Sequence, residues 1–174
     1  MPSGGNPHYN TSPEGGKAAA RAIADGLGRL YPEHQDVFQR NLDAYLAKLD
    51  AAIAKWEKEA APLRGQKLVS YHPDLAYFAE TFGMVPFGTI EIRAGVDPTP
   101  GHIAQLEESM RKNNVKLVVR ELQYPAGLAE SVAKAAGATL VELPVMSGGI
   151  PEAKDYIGFL DYNVRTMVKA VQGS

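Results

Sequence analysis

Cysteine is absent from all 174 residues. That removes disulfides, thiolate metal ligands and cysteine nucleophiles together. An excess of positive charge is also lacking. Eighteen Lys and Arg stand against twenty Asp and Glu, for a net charge of -2. With no basic stripe, nucleic acid is not an expected partner. No apolar run approaches the ~20 residues of a membrane-spanning helix. The opening Met-Pro-Ser-Gly-Gly-Asn-Pro has neither the basic start nor the apolar segment of a secretory signal. The expectation is that the chain as it stands would not be exported. Apolar content of 45% and charged content of 22% fit an ordinary globular protein with mass enough for a real core.

Periodicity organises the rest. Residues 1–12, rich in Gly, Pro, Ser and Asn, read as an irregular arm. A short alanine-rich helix starts near Pro13-Glu14, its end blurred by Gly26 and Gly28. Pro32-Glu33 opens a long helix. Its stripe is Phe38, Leu42, Tyr45, Leu46, Leu49, Ile53 and Trp56, over roughly 25 residues or more and about 40 Å. Beyond Pro62 strands and helices alternate. Strands are expected at Lys67–Tyr71, Val85–Ile90, Val115–Val119 and Thr139–Leu143. Helices are expected at Leu75–Phe82 and at about 102–113, 126–136 and 152–171. This is an α/β pattern: a four-stranded parallel sheet sandwiched by helices and preceded by a long backbone helix. The division is residues 1–31 as arm and short helix, 32–62 as connecting helix and 63–174 as the α/β lobe.

In such sheets ligands gather beyond the carboxyl ends of the strands. Those ends carry His72, Glu91 and Glu121, and the last strand closes on Glu142-Leu143-Pro144. A histidine with carboxylates at one edge points to a metal site or to acid–base catalysis. Ser70, His72 and Asp74 do not make a hydrolytic triad. Ser70 lies inside a strand about 7 Å from His72, and no nucleophile elbow is present. His34 and His102, at helix starts, read as surface residues. Tyr77, Phe78 and Phe82, at helical spacing, read as core.

Several motifs in order carry a resemblance. They are N-P-H-Y at 6–9, Y-H-P-D-L-A-Y-F-A-E-T-F-G at 71–83, G-T-I-E at 88–91 and P-T-P-G-H-I-A-Q-L at 98–106. V-V-R-E-L-Q-Y-P at 118–125, G-G-I-P at 148–151, D-Y-I at 155–157 and Y-N-V at 162–164 complete the series. Over nearly its whole length the chain resembles the zinc and manganese receptors of ABC importers, the cluster A-I solute-binding proteins. That resemblance implies two lobes joined by a rigid helix, with the metal held in the cleft between them. It places metal ligands at His8 and His72. The resemblance also implies that an N-terminal lobe, with its own histidine ligand and signal sequence, is missing here. An aspartate ligand that many members carry after the last strand is absent too. Glu121 is the substitute that geometry favours, and Glu91 a weaker one.

Imidazole donors favour Zn2+, with Mn2+ the alternative. The function implied is ion capture and delivery to a membrane permease rather than catalysis. The native full-length form would be periplasmic or lipid-anchored outside the cell. Apolar surface left bare on the long helix would favour a homodimer. Two other readings stay open. One is an orphan α/β interaction domain that keeps the fold without the metal. The other is an enzyme using His72 and Glu121 as an acid–base pair.

Overall fold

A computed structural model describes residues 5–173; the first four residues of the arm and residue 174 lie outside them. Helix α1 spans Pro13–Leu30. Ser12 caps it, its hydroxyl accepting from the Gly15 N–H, and Pro13 occupies the first turn, where an N–H has no partner anyway. Gly26 and Gly28 do not break it. A 3-10 turn at Pro32–His34 leads into α2, Gln35–Glu59, so the long rod is 25 residues of α-helix rather than one continuous element from Pro32. Lys17 near the start of α1 pairs with Asp50 near the end of α2 at 2.7 Å, so the two helices form an antiparallel hairpin. Of the α2 stripe only Leu49 and Trp56 are fully buried. The end near the turn stays open, with Ile23, Leu30, Tyr31 and Val37 exposed.

The lobe that follows holds β1 (Lys67–Ser70), α3 (Ala76–Thr81), β2 (Val85–Thr89) and α4 (Pro100–Lys112). It continues with β3 (Leu117–Glu121), α5 (Ala126–Ala136), β4 (Thr139–Leu143) and α6 (Tyr156–Gln172). The strands pair in parallel in the order β2-β1-β3-β4. Alternate residues feed opposite layers. Leu68, Leu117 and Val119 join Trp56, Phe78, Phe159 and Met167 on one face. Val69 and Val118 join Ile90, Leu106, Met110 and Val132 on the other. Both faces are dry, which is why these strands read as short continuous apolar runs.

One boundary matters for the site. The third strand begins at Leu117, not Val115. Val115 is spent closing α4, its N–H bonding the Met110 carbonyl, and Asn114 turns the chain in the left-handed region at φ 51°. The strand therefore ends on Glu121 itself, with that side chain fully buried. Helix α6 starts later than expected, at Tyr156, because Asp155 caps it through the Gly158 N–H.

Candidate metal centre

Strand order fixes where the site forms. The chain leaves β1 for β2 on one side, then returns to place β3 on the other. The carboxyl ends of β1 and β3 thus flank the point where the winding reverses, the place where an open α/β sheet leaves a crevice. His72 follows β1 there, and Glu121 closes β3. After the ladder bond from Tyr71 N to the Val119 carbonyl, the next N–H, that of His72, donates to Glu121 Oε2 at 3.3 Å. A side chain therefore continues the strand pairing one step past the sheet.

His72 is buried, and its ring is oriented from two sides. Nδ1 lies 2.5 Å from Glu91 Oε2, while the other oxygen of Glu91 accepts from the Gly95 N–H at 2.6 Å. Tyr124 stacks on the same ring at 5.8 Å and on Tyr71 at 4.5 Å. Burial pushes the Tyr124 hydroxyl up to about 12, with Glu91 adding to it. Glu91 thus spends both oxygens on protein groups, one of them the His72 ring.

The arm brings in the second histidine. Far from being irregular, residues 9–11 form a 3-10 turn, and the segment is strapped to the strand ends. Asn6 Nδ2 donates to the Pro73 carbonyl at 2.7 Å, and the Tyr77 hydroxyl donates to the Asn6 carbonyl at 3.0 Å. Asn10 Nδ2 reaches the Val145 carbonyl, Thr11 Oγ1 the Asp74 carbonyl, and the Tyr156 hydroxyl the Ser12 carbonyl. The result sets the His8 and His72 rings edge-on, with centroids 5.2 Å apart. Burial holds the His8 imidazole below its usual value, the neighbouring His72 adding to that and Asp74 opposing it.

Behind the histidines lies a buried carboxyl pair. Asp74 and Glu121 are 1% and 0% exposed. Burial pushes Glu121 up to about 10, reinforced by Asp74, and Asp74 is raised by burial as well. Gln123 Nε2 approaches Asp74 Oδ2 at 3.5 Å, but among the described residues no other donor reaches Asp74 Oδ1 or Glu121 Oε1, which leaves the two acids to each other. Two orphaned acid oxygens in a dry pocket fit a proton held between them, or a cation.

Among the described residues, no group of three or more His, Asp or Glu side chains is already gathered closely enough to enclose an ion. What stands together is the His8–His72 pair, with the Asp74–Glu121 pair coupled to it electrostatically. His34 is exposed beside Glu33. His102 is half-buried rather than free: Thr99 caps α4 and turns its first residues over β2, where His102 Nε2 meets the Thr89 carbonyl at 3.0 Å. Tyr77 is not core either, since it spends its hydroxyl on the arm, whereas Phe78 and Phe82 are buried. Glu142 turns outward and pairs with Arg120.

Asp74 and Asn6 are the residues that motif reading passed over. Asp74 was visible only as a failed triad member. Asn6 did leave a signal, because an asparagine two residues before a histidine can accept that residue's backbone N–H in an Asx turn.

The family model for the zinc-uptake complex component A, periplasmic (ZnuA), matches residues 2–170. The chain belongs to that family. Within the ZnuA family, the high-affinity zinc uptake system protein ZnuA of Brucella abortus (strain 2308) is 26% identical over 162 residues, covering 93% of this chain and 48% of the relative. The zinc-binding lipoprotein AdcA of Streptococcus pneumoniae serotype 4 is 25% identical over 166 residues, covering 93% of this chain and 33% of AdcA. Among solved structures, a ZnuA crystal structure superposes with a TM-score of 0.82 at 28% identity, covering 95% of this chain and 62% of the other. The solute-binding protein FpvC of Pseudomonas aeruginosa in complex with Mn2+ superposes at 0.85 with 25% identity, covering 97% and 62%. The chain spans about half the length of the ZnuA relative it matches.

Proposed function

We propose that this chain belongs to a metal-ion receptor of an ABC importer, which captures a divalent ion and delivers it to a membrane permease. The carrying observation is the pair of imidazoles 5.2 Å apart, each with its Nδ1 engaged by a neighbour. Such neighbours leave Nε2 of both rings turned to ligation. Zinc is the favoured ion, since neutral imidazole suits it, and manganese is the alternative. Two nitrogens are half of the ~4 donors zinc takes. Glu121 is the proposed carboxylate donor, and Asp74 shares its pocket and its proton.

The division proposed is residues 1–31 as arm and first helix, 32–62 as connecting helix and 63–174 as the ion-holding lobe. The setting is periplasmic or lipid-anchored, as the family description and the AdcA name support. An apolar groove along the α1–α2 hairpin, lined by Ile23, Leu27, Phe38 and Leu42 among others, supports pairing with a second copy.

Calorimetric titration of zinc into the chain at pH 7.5, beside His72→Ala, tests the reading. One site in the parent that vanishes in the variant upholds it. No heat in either would leave a fold without ion capture.

A further inference from the structure

Asn6 occupies an unusual junction. Its side-chain nitrogen donates to the Pro73 carbonyl at 2.7 Å. Its side-chain oxygen accepts from the His8 backbone N–H at 3.0 Å and lies 2.7 Å from His8 Nδ1. The amide orientation is fixed twice over. A proline carbonyl can only accept, so the NH2 must face Pro73. A backbone N–H can only donate, so the oxygen must face His8. An acceptor therefore sits against His8 Nδ1, and that nitrogen carries the ring proton. The lone pair is left on Nε2.

The same amide spans the two ligand segments, since Pro73 is bonded directly to His72. Three contacts of one short side chain thus set both the tautomer of one imidazole and its distance from the segment bearing the other. The backbone carbonyl of Asn6 is pinned in turn by the Tyr77 hydroxyl at 3.0 Å, so the junction is held from a third direction.

We propose that Asn6 is a positioning residue for the ion. It locks His8 in the Nδ1–H tautomer and ties the His8 segment to Pro73, so that both imidazoles meet the ion with Nε2. This inference rests on the proposed capture of an ion by His8 and His72, but its first observable needs no ion. A carboxylate at position 6 would keep the acceptor and lose the donor. A methyl would lose both. The two functions of the amide are therefore separable.

The test uses the whole chain, uniformly 15N-labelled and free of metal, at a pH where the imidazoles are neutral. Long-range proton–nitrogen NMR assigns the ring nitrogen that carries the proton, and zinc affinity is then measured against a competing chelator. The parent should show Nδ1–H at His8. Asn6→Ala should lose that preference and bind zinc about 10- to 100-fold more weakly, the usual effect of removing a group that orients a ligand. Asn6→Asp should keep the tautomer and bind with intermediate affinity. Thr11→Val, which removes the hydroxyl shared between the Asp74 and His8 backbone carbonyls but touches neither nitrogen of the His8 ring, should leave the tautomer intact.

Nε2–H at His8 in the parent, or an unchanged tautomer in Asn6→Ala, would overturn the proposal. So would equal losses of affinity in Asn6→Ala and Thr11→Val, which would reduce Asn6 to one more strap. If the parent has the assigned tautomer, lost in Asn6→Ala, yet binds no zinc, the receptor reading fails while the role of Asn6 in orienting the ring stands.

Discussion

Glu91 grips His72 at 2.5 Å with one oxygen and the Gly95 N–H at 2.6 Å with the other. The carboxylate is therefore a rigid bracket between the end of β1 and the loop that follows β2. An imidazole oriented by a carboxylate on Nδ1 is a better base at Nε2. Glu91→Gln should keep the fold and weaken zinc binding about 10-fold or more. Isothermal calorimetry beside the parent checks it, and equal affinities would remove Glu91 from any role at the ion.

The buried acid pair makes stability depend on pH in an unusual direction. Glu121 is raised from 4.5 to about 10 in the folded chain. A carboxyl with a raised folded pKa favours the fold below its unfolded value, and that contribution is lost as pH climbs toward the folded one. The metal-free chain should therefore lose thermal stability steadily between pH 5 and pH 9. Glu121→Gln, uncharged and able to donate to Asp74, should flatten that slope. Melting curves in chelator at several pH values decide it; parallel profiles for parent and variant would contradict the assignment.

If Glu121 gives its carboxylate to the ion, a proton must leave. Zinc titrations at pH 7.5 in buffers of different ionisation enthalpy should then show about one proton released per ion. Glu121→Gln should abolish the release. A release that survives the substitution would point to Asp74 instead.

Two adjacent glycines carry the arm's docking. A Cβ on Gly16 would lie 2.3 Å from the Tyr156 ring, and one on Gly15 would lie 1.9 Å from the Tyr9 carbonyl oxygen. Gly16→Ala must push away the side chain whose hydroxyl holds the Ser12 carbonyl. We expect it to cost about 1–3 kcal/mol by denaturant titration and to weaken ion binding as the arm lifts. A substitution without effect on either would mean that Tyr156 does not anchor the arm.

Pairing through the hairpin is testable by sedimentation. Ile23, 62% exposed on α1 beside the groove, is the substitution of choice. The parent should sediment as a dimer at raised concentration, and Ile23→Glu as a monomer. A monomeric parent at all concentrations would exclude the pairing.

Much of this was legible in the residues. The four strands, the alternation with helices and the position of His72 at a strand end followed from apolar runs and turn residues, because strands buried on both faces leave a dense signal. Other features were not legible, for physical reasons. The shift of β3 by two residues depends on Asn114 taking a left-handed turn, which an asparagine does only in some settings. The docking of the arm depends on hydrogen bonds between segments distant in the chain, such as Asn10 to Val145, and no local pattern encodes these. Asp74 acquires its meaning only when β3 lays Glu121 beside it.

The straps that hold the arm carry a further consequence. One of the two imidazoles stands on a segment held to the lobe by single hydrogen bonds from Asn6, Asn10, Thr11, Tyr77 and Tyr156, while the other stands at the end of a strand in a dry core. The sheet is packed on both faces, whereas the arm has fewer contacts to lose, so the arm is the member expected to open at lower cost. Letting go of a cargo held between them would require only that the arm peel from its seat, with the sheet standing still.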